Sequence, residues 1–215
     1  MSLIPEEHKQ HLRIELGEKM DKPVKIIVFT QELECHFCVE ARQIAQELAS
    51  LNDKITVEVY DFVADYERAK EYGIEKVPAL AIVGEKDRGI RFYGFPFGYE
   101  FQTLVESVVN VSRGSTDLSD KIREALKEVK VPLHVQVFVT LTCPHCPVAA
   151  AMAVKFAVES DFVRTDVIDA NEFTPLAVKY SVMGVPKIVI NEKTEFIGVL
   201  PEDLFLEHLI LATTS

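Results

Sequence analysis

The four cysteines of this 215-residue chain fall into two Cys-X-X-Cys pairs, Cys35-His36-Phe37-Cys38 and Cys143-Pro144-His145-Cys146. The thiolate is the reactive form of cysteine, and two thiols separated by two residues can pass electrons by closing and opening a disulfide. The first cysteines of the pairs are 108 residues apart. A Val-Pro dipeptide follows each pair, at Val77-Pro78 and Val185-Pro186, and each proline stands 43 residues after its first cysteine. One Cys-X-X-Cys is a weak signal. Two, each held at one spacing to a proline, are a strong one.

The duplication extends beyond the motifs. Val59-Tyr60-Asp61 matches Val167-Ile168-Asp169 at the same offset, and Tyr72 matches Tyr180. A β-rich run leads into each motif, Val24–Phe29 in the first copy and Leu133–Val139 in the second. Phe29 lies six residues before Cys35 and Phe138 five before Cys143, so the first copy carries one extra residue in that turn. Each copy is therefore one structural unit. The units run 1–114 and 115–215, joined at Arg113-Gly114-Ser115-Thr116, a boundary short enough that the halves must pack together.

The first copy reads as strand 24–29, helix 38–51, strand 55–61, helix 65–72, strand 79–83, strand 88–94 and helix 98–113. Ala41, Ile44, Ala45 and Leu48 mark one face of the helix that begins at the dithiol. The second copy reads as strand 133–139, helix 145–159, strand 162–168, helix 172–180, strands 186–190 and 194–198, and helix 202–212. A linking helix precedes it, with Leu118, Ile122, Ala125, Leu126 and Val129 on one stripe, Ser115-Thr116-Asp117 as its cap and Pro132 as its stop. Strand–helix–strand–helix followed by two close strands and a helix requires a parallel, right-handed βαβ and then an antiparallel pair. Each unit is thus an α/β domain of the thioredoxin fold, a central mixed sheet flanked by helices.

In that order each Cys-X-X-Cys sits where a strand ends and a helix begins. Unpaired N–H groups and the positive end of the helix dipole favour a thiolate there. Cys35 and Cys143 are expected to attack, and Cys38 and Cys146, further into the helix, to resolve the mixed disulfide. Pro144 suits the first helical turn, where its missing N–H costs nothing. The competing chemistry for paired Cys-X-X-Cys motifs is a metal, either structural zinc or an iron–sulfur cluster. Zinc ribbons place their pairs some 15 to 20 residues apart, against 108 here. No metal is expected. Pro78 and Pro186 are either strand-opening prolines or cis prolines that free the backbone of Val77 and Val185 to pair with an extended substrate. Their duplication favours the second reading. Asp61 and Asp169 end their strands just before a helix and are read as caps. His8, His11, His134 and His208 are read as surface or packing residues without partners, whereas His36 and His145 stand inside the motifs and could modulate them.

Composition narrows the function classes. A hydrophobic fraction of 48% with 27% charged residues is ordinary for a globular protein. The net charge of −11 argues against nucleic acid, which requires clustered cations. The amino terminus, Met1-Ser2-Leu3-Ile4-Pro5-Glu6-Glu7, lacks the basic and apolar regions of a secretory signal. No apolar run reaches the ~18 residues of a membrane span. A cytoplasmic protein is expected, in which cysteines are more often catalytic than structural. The absence of Trp leans toward a heat-adapted source.

The fold order, the Cys-X-X-Cys and the Val-Pro of each half resemble the thioredoxin/glutaredoxin superfamily. The tandem arrangement, which covers nearly the whole chain, is similar to the glutaredoxin-like protein disulfide oxidoreductases of thermophilic archaea and bacteria. That resemblance implies reduction, formation and isomerisation of protein disulfides. It makes Cys35, Cys38, Cys143 and Cys146 redox cysteines, Pro78 and Pro186 cis prolines, and a thioredoxin-reductase-like flavoprotein the partner. No cofactor is implied beyond the redox-active disulfides Cys35–Cys38 and Cys143–Cys146. Cys-Pro-His-Cys is also the motif of periplasmic disulfide-forming oxidases, without their inserted helical domain here. Thioredoxins carry a buried Asp six residues before the first cysteine. Phe29 and Val137 hold those places, so proton transfer to the resolving thiol must use another group or water.

Two other readings stay open: an electron carrier between a flavin reductase and a peroxidase, and a metal-storing or cluster-scaffolding protein. Three local expectations follow as well. The aromatic run Phe92, Tyr93, Phe95, Phe97, Tyr99, Phe101 should put about half its rings in the core and offer the rest to substrate near the first site. Residues 147–158 contain one charge, Lys155, so that helix should be covered by the other domain or by a second subunit in a homodimer. His145, third in its motif, should make the second site the more reactive, because a protonated imidazole beside the sulfur stabilises its thiolate.

Overall fold

The apolar run ahead of each dithiol forms the central strand of a half-sheet. In the computed structural model, which describes residues 2–214, the first half comprises α1 (Glu6–Lys19), β1 (Val24–Thr30), α2 (Cys38–Ala49), β2 (Ile55–Asp61), α3 (Tyr66–Glu71), β3 (Ala79–Val83), β4 (Asp87–Tyr93) and α4 (Glu100–Arg113). The second comprises α5 (Asp120–Leu126), β5 (Leu133–Val139), α6 (Cys146–Glu159), β6 (Val163–Asp169), α7 (Thr174–Lys179), β7 (Lys187–Ile190), β8 (Thr194–Ile197) and α8 (Glu202–Thr214). Gly114 closes α4 in the left-handed conformation, with φ 66°, the backbone state that glycine adopts without steric cost. No helix among the described residues is long and apolar enough to cross a membrane.

The eight strands make one sheet in the order β2-β1-β3-β4-β6-β5-β7-β8. Each half contributes the same internal order, with a parallel pair (β1/β2, β5/β6) and two antiparallel ones (β1/β3, β3/β4; β5/β7, β7/β8). The halves are joined edge to edge. β4 pairs in parallel with β6, Ile90 opposite Thr165 through Tyr93 opposite Ile168. Two antiparallel steps bring β4 back to the direction of β1, and two parallel steps carry that direction through β6 to β5. The carboxyl ends of β1 and β5, and the dithiols that follow them, therefore lie at the same end of the sheet. Four strand spacings separate them, roughly 20 Å at ~4.8 Å per strand. The four sulfurs cannot meet in one tetrahedral metal site.

The joint also explains two contrasts between the copies. β6 is buried along nearly its whole length, whereas its counterpart β2 is a partly exposed edge. The apolar helix α6 packs against α4 and β4 of the first half. The first half of the chain thus supplies cover for this helix.

Two helices differ from the sequence reading. α1 is absent from it because only Leu12 and Leu16 of its 14 residues are buried, too few to write a periodic stripe. α5 starts at Asp120, behind Ser119, although its stripe of Leu118, Ile122, Leu126 and Val129 is buried as expected. Thr116 is not its cap. Both the amide and the hydroxyl of Thr116 donate to Glu159 Oε1 on α6, at 2.6 and 2.7 Å.

The chain's amino end is tied to α2 by one carboxylate. Glu47 accepts from the amides of Leu3 and Ile4, at 2.9 Å each, and from the Ser2 hydroxyl at 2.7 Å. Burial alone would raise its pKa, but the amides of Ile4 and Leu3, with Ser2 and Gln43, outweigh it and hold it at about 2. Charge-assisted bonds of this kind contribute about 1–2 kcal/mol. Glu47→Ala is expected to lower stability by that amount at pH 7 in urea unfolding. Because the folded pKa is depressed, the contribution is present above the ordinary carboxyl pKa and lost as pH falls toward about 2. The deficit of the variant should shrink correspondingly between pH 5 and 2. A pH-independent deficit would show that the residue acts through packing.

Candidate active site: two dithiols at one end of the sheet

Both Cys-X-X-Cys pairs are disulfides, with Cα–Cα separations of 5.5 Å. The helices begin at the second cysteine of each pair, Cys38 and Cys146. The first cysteines lie just outside the helix starts. Pro144 therefore precedes the helix, and Pro147 takes the first-turn position instead. Cys35 and Cys143 are half-buried with a face to solvent, whereas Cys38 and Cys146 are only 3% and 0% exposed. This is the accessibility that separates an attacking from a resolving thiol. The Gln31 amide donates to Cys38 Sγ at 3.3 Å. The extra residue of the first copy falls in the loop before Cys35, where Glu34 adopts φ 58°.

Val77–Pro78 and Val185–Pro186 are both cis, and both prolines are buried. The carbonyl oxygen of Val185 lies 3.8 Å from Cys143 Sγ. Residues 42 positions apart in sequence thus meet at the second dithiol. His36 and His145 are exposed, and His36 meets the ring of Phe37 edge-on at 4.5 Å.

The 94–99 loop connects the two motif segments. At one end, Phe37 of the first motif stacks on Phe95 at 6.0 Å, and Phe95 on Phe97 at 5.0 Å. At the other, the Tyr99 amide donates to the carbonyl of Leu141, two residues before Cys143, at 3.2 Å. A Cβ on Gly98 (φ 59°) would lie 2.6 Å from that same oxygen, so this close approach requires glycine. Of the six rings in the run, Phe92, Tyr93 and Phe95 are buried, Phe101 is half-buried, and Phe97 and Tyr99 are exposed. Half the rings are thus in the core, as expected, but burial follows position along the segment: the rings of β4 and the start of the loop are inside, and those at the loop's far end are exposed.

Beneath this loop lies a group of carboxylates that the sequence reading missed. Glu100 is 1% exposed, and both its oxygens lack a hydrogen-bond partner. Burial pushes its pKa up to about 7, and the charge of Asp169 adds to the shift. Glu172 accepts from the Phe95 amide at 2.7 Å, yet burial pushes it up to about 7 as well, with Asp169 and Glu40 contributing. Asp169 is raised, again by burial. Glu100 and Asp169 line a small cavity with Phe95, Val139 and Leu141. Phe29 and Val137, in place of the buried Asp of thioredoxins, are fully buried in β1 and β5 and supply no acid group there. No signal could have found these carboxylates: Glu100 and Glu172 lie on different halves and meet only through the joint. Asp61 and Asp169 do not cap the helices that follow: α3 and α7 start at Tyr66 and Thr174, behind Asp65 and Phe173. The two carboxylates close the turns before them instead, Asp61 accepting from the amides of Val63 and Ala64 and Asp169 from that of Asn171. His134 does not fit its reading, because the β5/β6 register sets it diagonal to buried Asp166. Its Nε2 lies 2.7 Å from Asp166 Oδ2. Among the described residues no three His, Cys, Asp or Glu side chains converge as a metal site.

Residues 133–211 match the thioredoxin domain family. The whole chain is similar to the protein disulfide oxidoreductase of Aeropyrum pernix, with 30% identity, 97% of this chain and 93% of that chain covered, and a TM-score of 0.90. It is also similar to the N-terminal domain of the alkyl hydroperoxide reductase AhpF from Enterococcus faecalis, at 27% identity, 96% and 99% coverage, and a TM-score of 0.88. Among curated relatives, the corresponding alkyl hydroperoxide reductase component of Escherichia coli is 23% identical over 82% of this chain and 32% of its own length. The chain spans about a third or less of the curated relatives it matches first. With a tandem thioredoxin-like fold, two dithiols at cis Val-Pro bonds and a full-length match to an archaeal relative, the chain belongs to the protein disulfide oxidoreductases.

Proposed function

We propose that this protein reduces, forms and rearranges disulfides of other proteins, using both dithiols as independent redox centres. The observation that carries the reading is the pairing, in each half, of an accessible first cysteine with a buried second one beside a cis Val-Pro. In the reductive direction the thiolate of Cys35 or Cys143 attacks one sulfur of a substrate disulfide and expels the other as a thiolate. Cys38 or Cys146 then attacks the enzyme sulfur of the mixed disulfide, releasing the second substrate thiol. The substrate gains two electrons and two protons, and the enzyme dithiol becomes a disulfide. Val77–Pro78 and Val185–Pro186 serve as the backbone edge for an extended substrate. No bound cofactor takes part. A flavin disulfide reductase in the cytosol returns the electrons, and units 1–114 and 115–215 each carry one centre.

The test uses the variants Cys143→Ser/Cys146→Ser and Cys35→Ser/Cys38→Ser, each left with one dithiol. Both should turn over an insulin-type protein disulfide. A second reading, an electron carrier feeding a peroxidase, is favoured by the likeness to the alkyl hydroperoxide reductase AhpF. If neither variant reduces protein disulfides, yet the reduced protein rapidly reduces an oxidised peroxidase, that second reading replaces the first.

The two centres should differ in reactivity. His145 stands at the amino end of α6, third in its motif, where Phe37 holds the equivalent place. Glu34 directly precedes Cys35, where Thr142 precedes Cys143. An imidazolium near the sulfur favours the thiolate, whereas a neighbouring carboxylate opposes it. Cys143 should therefore have the lower thiolate pKa and Cys143→Ser the larger loss of activity. Stabilising the reduced form also makes the second disulfide the stronger oxidant. Alkylation rate against pH in the single-dithiol variants checks this, and equal or reversed values refute it.

A further inference from the structure

We propose that the two dithiols select different polypeptide flanks: Cys143/Cys146 takes disulfides set among apolar side chains, and Cys35/Cys38 takes disulfides flanked by cationic ones. This rests on the thiol–disulfide reading above and goes beyond it, because nothing in that reading distinguishes the substrates of the two centres.

Beside the second dithiol runs a groove of about 570 Å³ between α7 and the segment leading to Val185. None of the residues lining it is charged. Met183 and Val178 stand in its wall at 92% and 72% exposure. Such large apolar side chains, held in solvent beside a reactive centre, suit an apolar partner. Val185 also lines the groove, and its carbonyl is 3.8 Å from Cys143 Sγ. A chain whose cysteine sits on Cys143 must therefore lay its neighbouring residues along this wall. The occupant is an extended polypeptide segment with uncharged, apolar residues next to its cysteine.

The repeat provides an internal control, since each position after the dithiol has a counterpart 108 residues earlier. Met183 becomes Glu75, Val178 becomes Lys70, and Thr174 becomes the bulkier Tyr66. Glu34 and Glu32 precede Cys35, where Thr142 and Thr140 precede Cys143. Glu32, Glu34, Lys70 and Glu75 are all exposed, whereas Lys76, the counterpart of Gly184, is half-buried with its ammonium 3.6 Å from the centre of the Tyr93 ring, so the exposed side chains at these positions carry an excess of negative charge. Leu33 and Val63 are exposed there too, but they are interleaved with that charge. Like-charge juxtaposition rejects acidic flanks and favours Lys- or Arg-bearing ones, an effect that salt screens.

The experiment takes the two single-dithiol variants, reduces them with dithiothreitol, removes the reductant, and follows single-turnover reduction of disulfide-linked peptides flanked by Leu, Lys or Glu. The protein with only Cys35/Cys38 should reduce the Lys-flanked peptide about fivefold or more faster than the Glu-flanked one at low salt, and that ratio should fall toward one at 1 M NaCl. The protein with only Cys143/Cys146 should favour the Leu-flanked peptide by a ratio that salt does not reduce. Met183→Glu should abolish that preference, and Glu75→Met with Glu34→Thr should erase the charge preference of the first site. The same ranking of peptides at both centres, or preferences unmoved by these substitutions, would overturn the inference and leave the thiol–disulfide reading standing. Failure of both variants to reduce any peptide would remove the reading itself, and the inference with it.

Discussion

Replacing Cys35 and Cys143 together by serine is expected to abolish turnover of protein disulfides, a loss of at least about a thousandfold, because a hydroxyl cannot supply the thiolate that begins exchange. The complementary change, Cys38→Ser with Cys146→Ser, should leave attack intact and remove resolution. Those cysteines are buried at the first helical residue of α2 and α6, where a substrate sulfur cannot reach them. The second double variant should therefore accumulate mixed disulfides, visible as a covalent adduct that dithiothreitol releases. The two phenotypes together assign the roles. If the Cys35/Cys143 variant retains turnover, or if the adduct forms on that variant instead, the assignment is wrong.

Glu100→Gln is expected to stabilise the protein at alkaline pH by about 3 kcal/mol, through loss of a buried charge. The carboxyl titrates at about 7 in the folded protein against an ordinary 4.5, and each unit of difference corresponds to ~1.4 kcal/mol. Because the folded pKa is raised, the folded state holds its proton more tightly than the unfolded chain. Stability is therefore full below pH 4.5 and falls as pH rises through 7. The glutamine variant should match the parent at pH 4.5, exceed it at pH 8, and flatten the slope between them. Urea unfolding at several pH values reads this directly. An unchanged slope would mean that the carboxylate finds water or a partner on ionisation. The same variant bears on proton supply to the dithiols, since Glu100 shares its cavity with Leu141, two residues from Cys143. If Glu100 delivers protons there, the pH profile of disulfide reduction by the second centre should lose its inflection near 7, while the first centre keeps its profile.

The local chemistry was legible in the chain because it depends on short-range spacing and on repetition. Nearly every strand, and with it the place of the cysteines at the strand–helix junctions, follows from period-two and period-3.6 patterns, reinforced because each pattern is written twice; the cis reading of Val77–Pro78 and Val185–Pro186 came from their repeated distance to the cysteines. α1 escaped because two buried leucines on a charged helix carry no period, and its stability comes from α4 and the neighbouring core. The apolar surround of α6 correctly demanded a cover, but not which one, since burial records that a partner exists and not its identity.

What only the tertiary structure decided is how the two copies meet. Strand pairing through backbone N–H and C=O groups carries almost no side-chain signature, so nothing in Asp87–Tyr93 or Val163–Asp169 announces that they lie side by side. That single parallel contact makes the sheet continuous, sets both dithiols at one end about 20 Å apart, and buries β6 while leaving β2 as an edge. It also brings Glu100 of one half to Asp169 and Glu172 of the other, where shared burial shifts all three. The pairing of the four cysteines into two dithiols was determined by the amino-acid sequence alone. The shifted carboxylates under the 94–99 loop were decided by the fold, because desolvation is a property of neighbours that are distant along the chain.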